Sequence, residues 1–282
     1  MRTGDILVAP GCYDALSASL IERAGFQAAY LSGASIAYTK LGKPDIGFVT
    51  MSEVAETIGA IRERVTIPLL VDADTGFGNA LNVQRTVRLF ERAGASAIQL
   101  EDQQLPKRCG HLAGKTLVSS VEMAGKIRAA CDARGSSSTL IIARTDAIAV
   151  EGLDAAFERA EAFLAAGADV LFIEALPDQQ AMTAATTRFA KRVPLLANMV
   201  EGGKTPLTKA QDLQDLGFAI AIFPGAMVRV QTFAAMHYLE TLMRTGSTNS
   251  LRDQMLDFAA LNELLQTQDW LARGRSYDAA NS

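Results

Sequence analysis

Four times along the chain an amphipathic, helix-like stretch closes on a glycine and gives way to a short apolar run. Ala24-Gly25-Phe26 leads into Ala28-Ala29-Tyr30-Leu31-Ser32, and Ala93-Gly94-Ala95 into Ala97-Ile98-Gln99-Leu100-Glu101. Ala166-Gly167-Ala168 leads into Val170-Leu171-Phe172-Ile173-Glu174, and Leu216-Gly217-Phe218 into Ile220-Ala221-Ile222-Phe223. A glycine there suits a helix C-terminus, and a short, near-continuous apolar run reads as a strand covered on both faces. Ile6–Ala9, Pro68–Asp72, Leu140–Arg144 and Pro194–Asn198 have the same character and bring the strands to eight. Helical periodicity fills the intervals, notably at Ser52–Arg64, Asn82–Ala93, Val121–Ala133, Leu153–Ala166 and Lys209–Leu216. Regular alternation of this kind predicts a parallel sheet, and eight units predict an α/β fold closed as a (β/α)8 TIM-type barrel. No Pro/Ser-rich linker interrupts the series, so residues 1–282 read as a single domain. Residues 227–282 form its C-terminal extension, with helices expected at Met227–Arg244 and Leu251–Leu265.

Composition narrows the field of functions. The chain has 282 residues, 49% of them hydrophobic and 21% charged, enough apolar content for a large core in a water-soluble protein. A formal charge of −4 and sparse aromatics leave no footprint for nucleic acid. No apolar run reaches membrane-spanning length, and Met1-Arg2-Thr3-Gly4-Asp5 is unlike a signal peptide. Cys12, Cys109 and Cys131, an odd number at unpatterned spacing, point to a reducing compartment. A cytoplasmic protein is the expectation.

In such barrels chemistry gathers at the carboxyl ends of the strands. Read in order, those tips carry Tyr30-Leu31-Ser32-Gly33-Ala34, Asp72-Ala73-Asp74, Glu101-Asp102, Arg144-Thr145-Asp146, Glu174 and Asn198. Asp72 and Asp74 stand two apart and so project from one side of a strand, where two like charges need a cation or a shared proton. Oxygen ligands without a histidine cluster suit Mg²⁺ or Mn²⁺. Arg144 is suited to gripping a carboxylate with both arms of its fork. For any single tip a salt bridge or a cap is the plainer explanation, and their convergence is what favours an active site.

The stretch Lys107-Arg108-Cys109-Gly110-His111 follows the Glu101 tip on a long loop. A cysteine flanked by cations and a histidine is expected to have a lowered pKa. Zinc is a weaker alternative, because the only other histidine is His237. An incidental surface cysteine is the bland one. Cys12 and Cys131 read as structural.

Tyr-Leu-Ser-Gly at 30–33, Asp-Ala-Asp-Thr-Gly-Phe-Gly at 72–78, Glu-Asp-Gln at 101–103, Lys-Arg-Cys-Gly-His at 107–111 and Ala-Arg-Thr-Asp-Ala at 143–147 together resemble the isocitrate lyase / phosphoenolpyruvate mutase superfamily. The resemblance implies a Mg²⁺-dependent barrel, homotetrameric with C-terminal helices exchanged between subunits. It implies action on 2-oxo or 2-hydroxy acids at a C–C or P–C bond. By the same resemblance Asp72 is the main metal ligand, with Asp45, Asp74 and Glu101 acting largely through water. Ser32, Gly33 and Ala34 donate to a pyruvoyl-like carboxylate, and Gly110, Arg144, Glu174, Asn198 and Arg229 complete the substrate site. Ala34 stands where many relatives have glycine, which a backbone donor tolerates.

Cys109 resembles the proton donor of the lyase branch, with Lys107 and His111 beside it, and Tyr30 is the candidate base. Val200-Glu201-Gly202-Gly203 and Leu261, where a tricarboxylate enzyme is expected to place an arginine, resemble enzymes of substituted malates. A dicarboxylate such as dimethylmalate is therefore the expected substrate. Methylisocitrate cleavage, oxaloacetate decarboxylation or hydrolysis, and a silent barrel remain as alternatives.

Overall fold

A computed structural model describes residues 5–110, 114–206 and 208–278. Its strands are β1 (Leu7–Cys12), β2 (Ala29–Leu31), β3 (Leu69–Asp72), β4 (Ala97–Glu101), β5 (Leu140–Thr145), β6 (Val170–Ile173), β7 (Leu195–Asn198) and β8 (Ile220–Phe223). They pair in parallel in sequence order, and β8 closes on β1 through Leu7↔Ile220 and Val8↔Ala221. The helices of the barrel are α1 (Ala15–Arg23), α2 (Gly33–Ile36), α3 (Met51–Arg62), α4 (Ala80–Ala93), α5 (Ser120–Ala133), α6 (Ile148–Glu151), α7 (Leu153–Ala165), α8 (Gln179–Phe189) and α9 (Ala210–Leu216). The four glycines that close the repeated phrase all take left-handed backbone, with φ of 90° at Gly25, 109° at Gly94, 104° at Gly167 and 103° at Gly217. That conformation is costly for any residue with a Cβ, which is why glycine recurs there.

Two apolar layers follow from the two-residue period of the strands. The outward residues, such as Val71, Ile98, Leu100, Ile141 and Leu171, join the helices in one continuous core. The inward residues Tyr30, Leu70, Ala97, Ile142, Val170, Phe172, Leu196, Ile220 and Ile222 fill the barrel itself. Continuing each inward series by two positions reaches the mouth. Leu70 is followed by Asp72, Gln99 by Glu101, Ile142 by Arg144, Phe172 by Glu174, Leu196 by Asn198 and Tyr30 by Ser32. The apolar filling therefore ends in a polar rung built by the same alternation.

The chain divides into two compact units, Met1–Val228 and Arg229–Ser282. Helix α10 (Ala226–Thr245) leads into the second, which continues with a 3-10 turn at Asn249–Gln254, α11 (Phe258–Leu264) and α12 (Thr267–Asp278). The single helix expected over Leu251–Leu265 is thus broken. Asp257 is extended and its carboxylate accepts from Ala260 N at 2.8 Å, so it starts a new helix instead of continuing an old one. Among the described residues no helix is long and apolar enough to cross a membrane.

Candidate active site

The acidic side of the mouth is built on β3. Asp72 Oδ1 accepts from the Gln99 amide at 3.2 Å and from Asp74 N at 3.1 Å. Asp74 lies just past the strand in left-handed backbone, φ 48°, which swings it out of the pleat. A Cβ on Gly33 would lie 3.2 Å from Asp72 Oδ2 and 3.6 Å from Asp74 Oδ1, so the start of α2 runs directly beside both carboxylates. Asp45 joins them through Lys107, whose ammonium is 2.5 Å from Asp45 and 2.6 Å from Asp74. Burial pushes the Asp74 carboxyl up to about 6, against the pull of Lys107. Burial would favour a neutral Lys107, but the Asp74 and Asp45 charges override it and hold the amine well above its ordinary range.

Tyr30, expected as the base, has a different part. Its hydroxyl donates to Gln99 Oε1 at 2.8 Å, and Gln99 in turn donates to Asp72. Burial, and then the charge of Asp72, keep the phenol protonated well above its usual range. A buried donor of this kind orients Gln99 and, through it, Asp72. Sequence alternation places Gln99 inward but says nothing of its two partners.

The opposite side is built around the Arg144 guanidinium, which three carboxylates surround. Arg144 Nε donates to Asp146 Oδ2 at 2.9 Å and its Nη2 to Asp146 Oδ1 at 3.1 Å. The fork expected to face substrate is therefore held by the residue two positions on. Glu101 and Glu174 each stand 3.4 Å from the same guanidinium, and the Phe172 ring lies 5.0 Å beneath it. Burial works against the Asp146 carboxylate, but Arg144 and then Lys115 hold its pKa below the usual range. Glu101 is driven well above its ordinary value, chiefly by burial. Asn198 donates to Glu174 Oε2 at 2.9 Å, and Ala175 N holds the other oxygen at 2.8 Å. Ser32 caps α2 by accepting from Ser35 N at 3.2 Å, with Gly33 and Ala34 in its first turn. Arg229 opens the second unit.

The segment after Glu101 is seated on this mouth. Its root is pinned by Val118 N on Asp102 O at 2.9 Å and Gln104 N on Thr116 O at 2.8 Å. Gln103 also donates to Arg108 O and accepts from Arg108 N, at 2.8 and 2.9 Å. Lys115, which sequence reading passed over, donates to Gly110 O and stands 3.0 Å from Asp146. Lys107 and Gly110 are buried in consequence, and His111 lies outside the described residues. The Lys107 cation, expected to lower the Cys109 pKa, is committed to Asp45 and Asp74 instead.

The other two cysteines are poor nucleophiles. Cys12 is fully buried and its thiol is pushed up to about 12. Cys131 is raised by burial and its thiol donates to Gly167 O at 3.2 Å. An alkylating reagent at neutral pH should therefore label Cys109 first and leave Cys12 untouched until the protein unfolds. Peptide mapping of partly labelled protein checks this, and Cys12 or Cys131 reacting ahead of Cys109 would contradict it.

Whether this mouth suits a cation is answered by its oxygens. Asp74 Oδ1 and Glu101 Oε1 are buried without a hydrogen-bond partner, although Lys107 stands close to the first as an ion pair. Among the described residues no three His, Cys, Asp or Glu side chains converge tightly enough to enclose a metal. A cation here would take few protein oxygens and keep waters, which is the habit of Mg²⁺. The donor set fits such an ion.

A closed barrel with carboxylates, an amide and a guanidinium crowning its inward positions defines an α/β-barrel enzyme with its site at the carboxyl ends of the strands. The chain belongs to the phosphoenolpyruvate phosphomutase family, which it matches over residues 1–243, within the isocitrate lyase / phosphoenolpyruvate mutase superfamily. It is 45% identical over 267 residues to the 2,3-dimethylmalate lyase of Eubacterium barkeri, covering 94% of this chain and 91% of the relative. It is 46% identical over 271 residues to the 2-methylisocitrate lyase of Aeropyrum pernix, covering 95% and 86%. The solved structure of oxaloacetate acetylhydrolase with 3,3-difluorooxalacetate superposes with a TM-score of 0.92 at 34% identity, covering 98% of this chain and 94% of that one. A phosphonopyruvate hydrolase complex with oxalate and Mg²⁺ superposes at 0.85 and 30% identity, covering 96% and 94%, so a divalent metal occurs within the superfamily.

Proposed function

We propose that this enzyme is a carbon–carbon lyase that cleaves a 2-hydroxy dicarboxylate, a substituted malate such as dimethylmalate, to pyruvate and a second carboxylic acid. The observation that carries this reading is the single inward rung of Asp72, Glu101, Arg144, Glu174 and Asn198, with the Cys109-Gly110 segment seated over it. Mg²⁺, or Mn²⁺ in its place, would be held by Asp72, with Asp45, Asp74 and Glu101 acting through water. When bound it supplies positive charge to the C1 carboxylate and C2 oxygen of the substrate. The backbone donors at Ser32, Gly33 and Ala34 orient that carboxylate, and Arg144 and Asn198 bind the remaining acid group. The C2 hydroxyl gives its proton to a carboxylate of the mouth as the C2–C3 bond breaks, the electron pair of that bond goes to C3, and the Cys109 thiol delivers a proton there. Lys107 and Gly110 keep water from the mouth, and Tyr30 keeps Asp72 in place through Gln99.

The three free cysteines support a reducing, cytoplasmic setting. Residues 227–282 are read as a helical extension of one barrel domain. Its exposed Val230, Phe233, Met236 and Met243 support a homotetramer that exchanges these helices.

The 2-methylisocitrate lyase likeness favours one competing substrate, a tricarboxylate. Leu261 stands where the resemblance expects the arginine of a tricarboxylate enzyme, and without that cation a third carboxylate loses its hydration unpaired. A substituted malate should therefore be preferred in kcat/KM by about 30- to 1000-fold, roughly 2–4 kcal/mol, the worth of one buried charge-assisted contact. Assays with Mg²⁺ against malate, alkylmalates, methylisocitrate and oxaloacetate test this. Pyruvate plus a second acid marks the lyase, pyruvate plus CO₂ a decarboxylase, and oxalate plus acetate a hydrolase. Preference for methylisocitrate over every dicarboxylate would overturn the substrate assignment.

A further inference from the structure

A second charged cluster lies behind the mouth, between the barrel wall and α7. The outward face of the β4 and β5 tips carries Asp102 and Thr145, both buried. Asp102 Oδ2 accepts from Thr145 Oγ1 at 2.7 Å and Oδ1 from Asp146 N at 2.9 Å, so this carboxylate fixes the backbone from which the Asp146 side chain projects. The Thr145 carbonyl accepts from Glu174 N at 3.0 Å, which ties the β6 tip to the same point. The cation opposite Asp102 is Arg159 of α7. Its Nη1 is 3.3 Å from Asp102 Oδ2 and donates to Val118 O at 2.9 Å, at the root of the segment that bears Cys109. Its other two nitrogens grip Glu151 of α6, both at 2.7 Å.

We infer that Arg159 is a positioning residue for Arg144, acting through Asp102 and the backbone of Asp146. Arg159 touches neither Arg144 nor the mouth. It holds a buried carboxylate in place, that carboxylate holds the turn Thr145-Asp146, and Asp146 holds the guanidinium fork. A plain structural role would be a bond between α6 and α7 through Glu151. That limb is a two-pronged pair whose carboxylate is partly exposed, and it ties α7 to α6 without reaching the turn that carries Asp146. Asp102 has no access to solvent, so loss of Arg159 takes the cation from a buried carboxylate directly behind the site.

The inference rests on the reading that Arg144 binds a substrate or product carboxylate, and the test separates the two. Pyruvate binding is titrated calorimetrically in Mg²⁺-loaded protein. The variants are Arg159→Met, Arg159→Lys, Glu151→Gln and Arg144→Gln, with kcat and KM followed in parallel. Arg159→Met should weaken pyruvate about 10- to 100-fold, the scale expected when a remote change misplaces a binding group. Arg159→Lys, which keeps the charge but not the fork, should fall in between, and Glu151→Gln should bind as wild type. If Arg159→Met does not fold, Arg159→Lys alone decides, with any weakening beyond that of Glu151→Gln in support. Arg159 variants that bind and turn over as wild type, while Arg144→Gln is impaired, overturn the relay. An unimpaired Arg144→Gln overturns the reading of Arg144 and the relay with it.

Discussion

Asp72→Ala protein should fold, bind no Mg²⁺ and show no measurable turnover, a loss of at least about a thousandfold. Among the acids at the mouth, Asp45 and Asp74 already share the Lys107 ammonium, at 2.5 and 2.6 Å. Asp72 is placed differently. One of its oxygens accepts from Gln99 and Asp74 N, and the other faces the start of α2 beside Gly33. It is thus the carboxylate that is both rigidly held and open toward the space where a ligand would enter. Differential scanning calorimetry with and without Mg²⁺ provides the second readout. Metal at a hundred times its Kd should stabilise the wild type by about 2.7 kcal/mol and the variant not at all. Without metal two effects oppose each other, relief of one of several crowded negative charges and loss of the acceptor for Gln99 and Asp74 N, so the variant should stay within about 2 kcal/mol of wild type. Near-normal activity with Mg²⁺ would remove the basis for the metal site.

The barrel was legible because its strands are short apolar runs and its helices end in glycines that the backbone requires, as the left-handed φ values of Gly25, Gly94, Gly167 and Gly217 bear out. The inward rung was legible for a related reason. A two-residue period that is apolar at Leu70, Ile142, Phe172 and Leu196 and polar at the next inward position marks where the filled interior ends. What sequence did not disclose is which polar groups pair with one another. The Arg144–Asp146 fork spans only two residues, yet nothing local says that the guanidinium turns back toward its neighbour. Lys115 meets Asp146 across 31 positions and Tyr30 meets Gln99 across 69, so neither contact leaves a local pattern. Burial of the Tyr30 phenol beside Asp72 is likewise a property of the closed barrel, and it turned an expected base into a donor. The break before α11 shows the opposite failing. Asp257 is an ordinary N-cap, but the apolar spacing on either side of it reads through as one helix.

Gly110→Ala should lower kcat by about 100-fold or more while leaving thermal stability within about 1 kcal/mol, a separation few substitutions near a barrel mouth would give. Gly110 has no left-handed backbone to lose, so alanine costs nothing in φ. The obstacle is space. A Cβ there would overlap the Arg144 guanidinium and lie 2.9 and 3.0 Å from Glu174 Cγ and Cδ. Long side chains often give way, but these two are held. Arg144 is forked onto Asp146, and Glu174 is fixed by Asn198 and by Ala175 N. The segment must therefore lift, which draws Gly110 O away from Lys115 and displaces the neighbouring Cys109 from the mouth. Because the change strikes a segment lying over the mouth and not the apolar core, the fold should survive it. Faster alkylation of Cys109 in Gly110→Ala than in wild type, with unchanged labelling of Cys131, would register the lift directly. A variant with wild-type kcat and wild-type Cys109 labelling would mean that turnover does not require the segment to seat against Arg144 and Glu174.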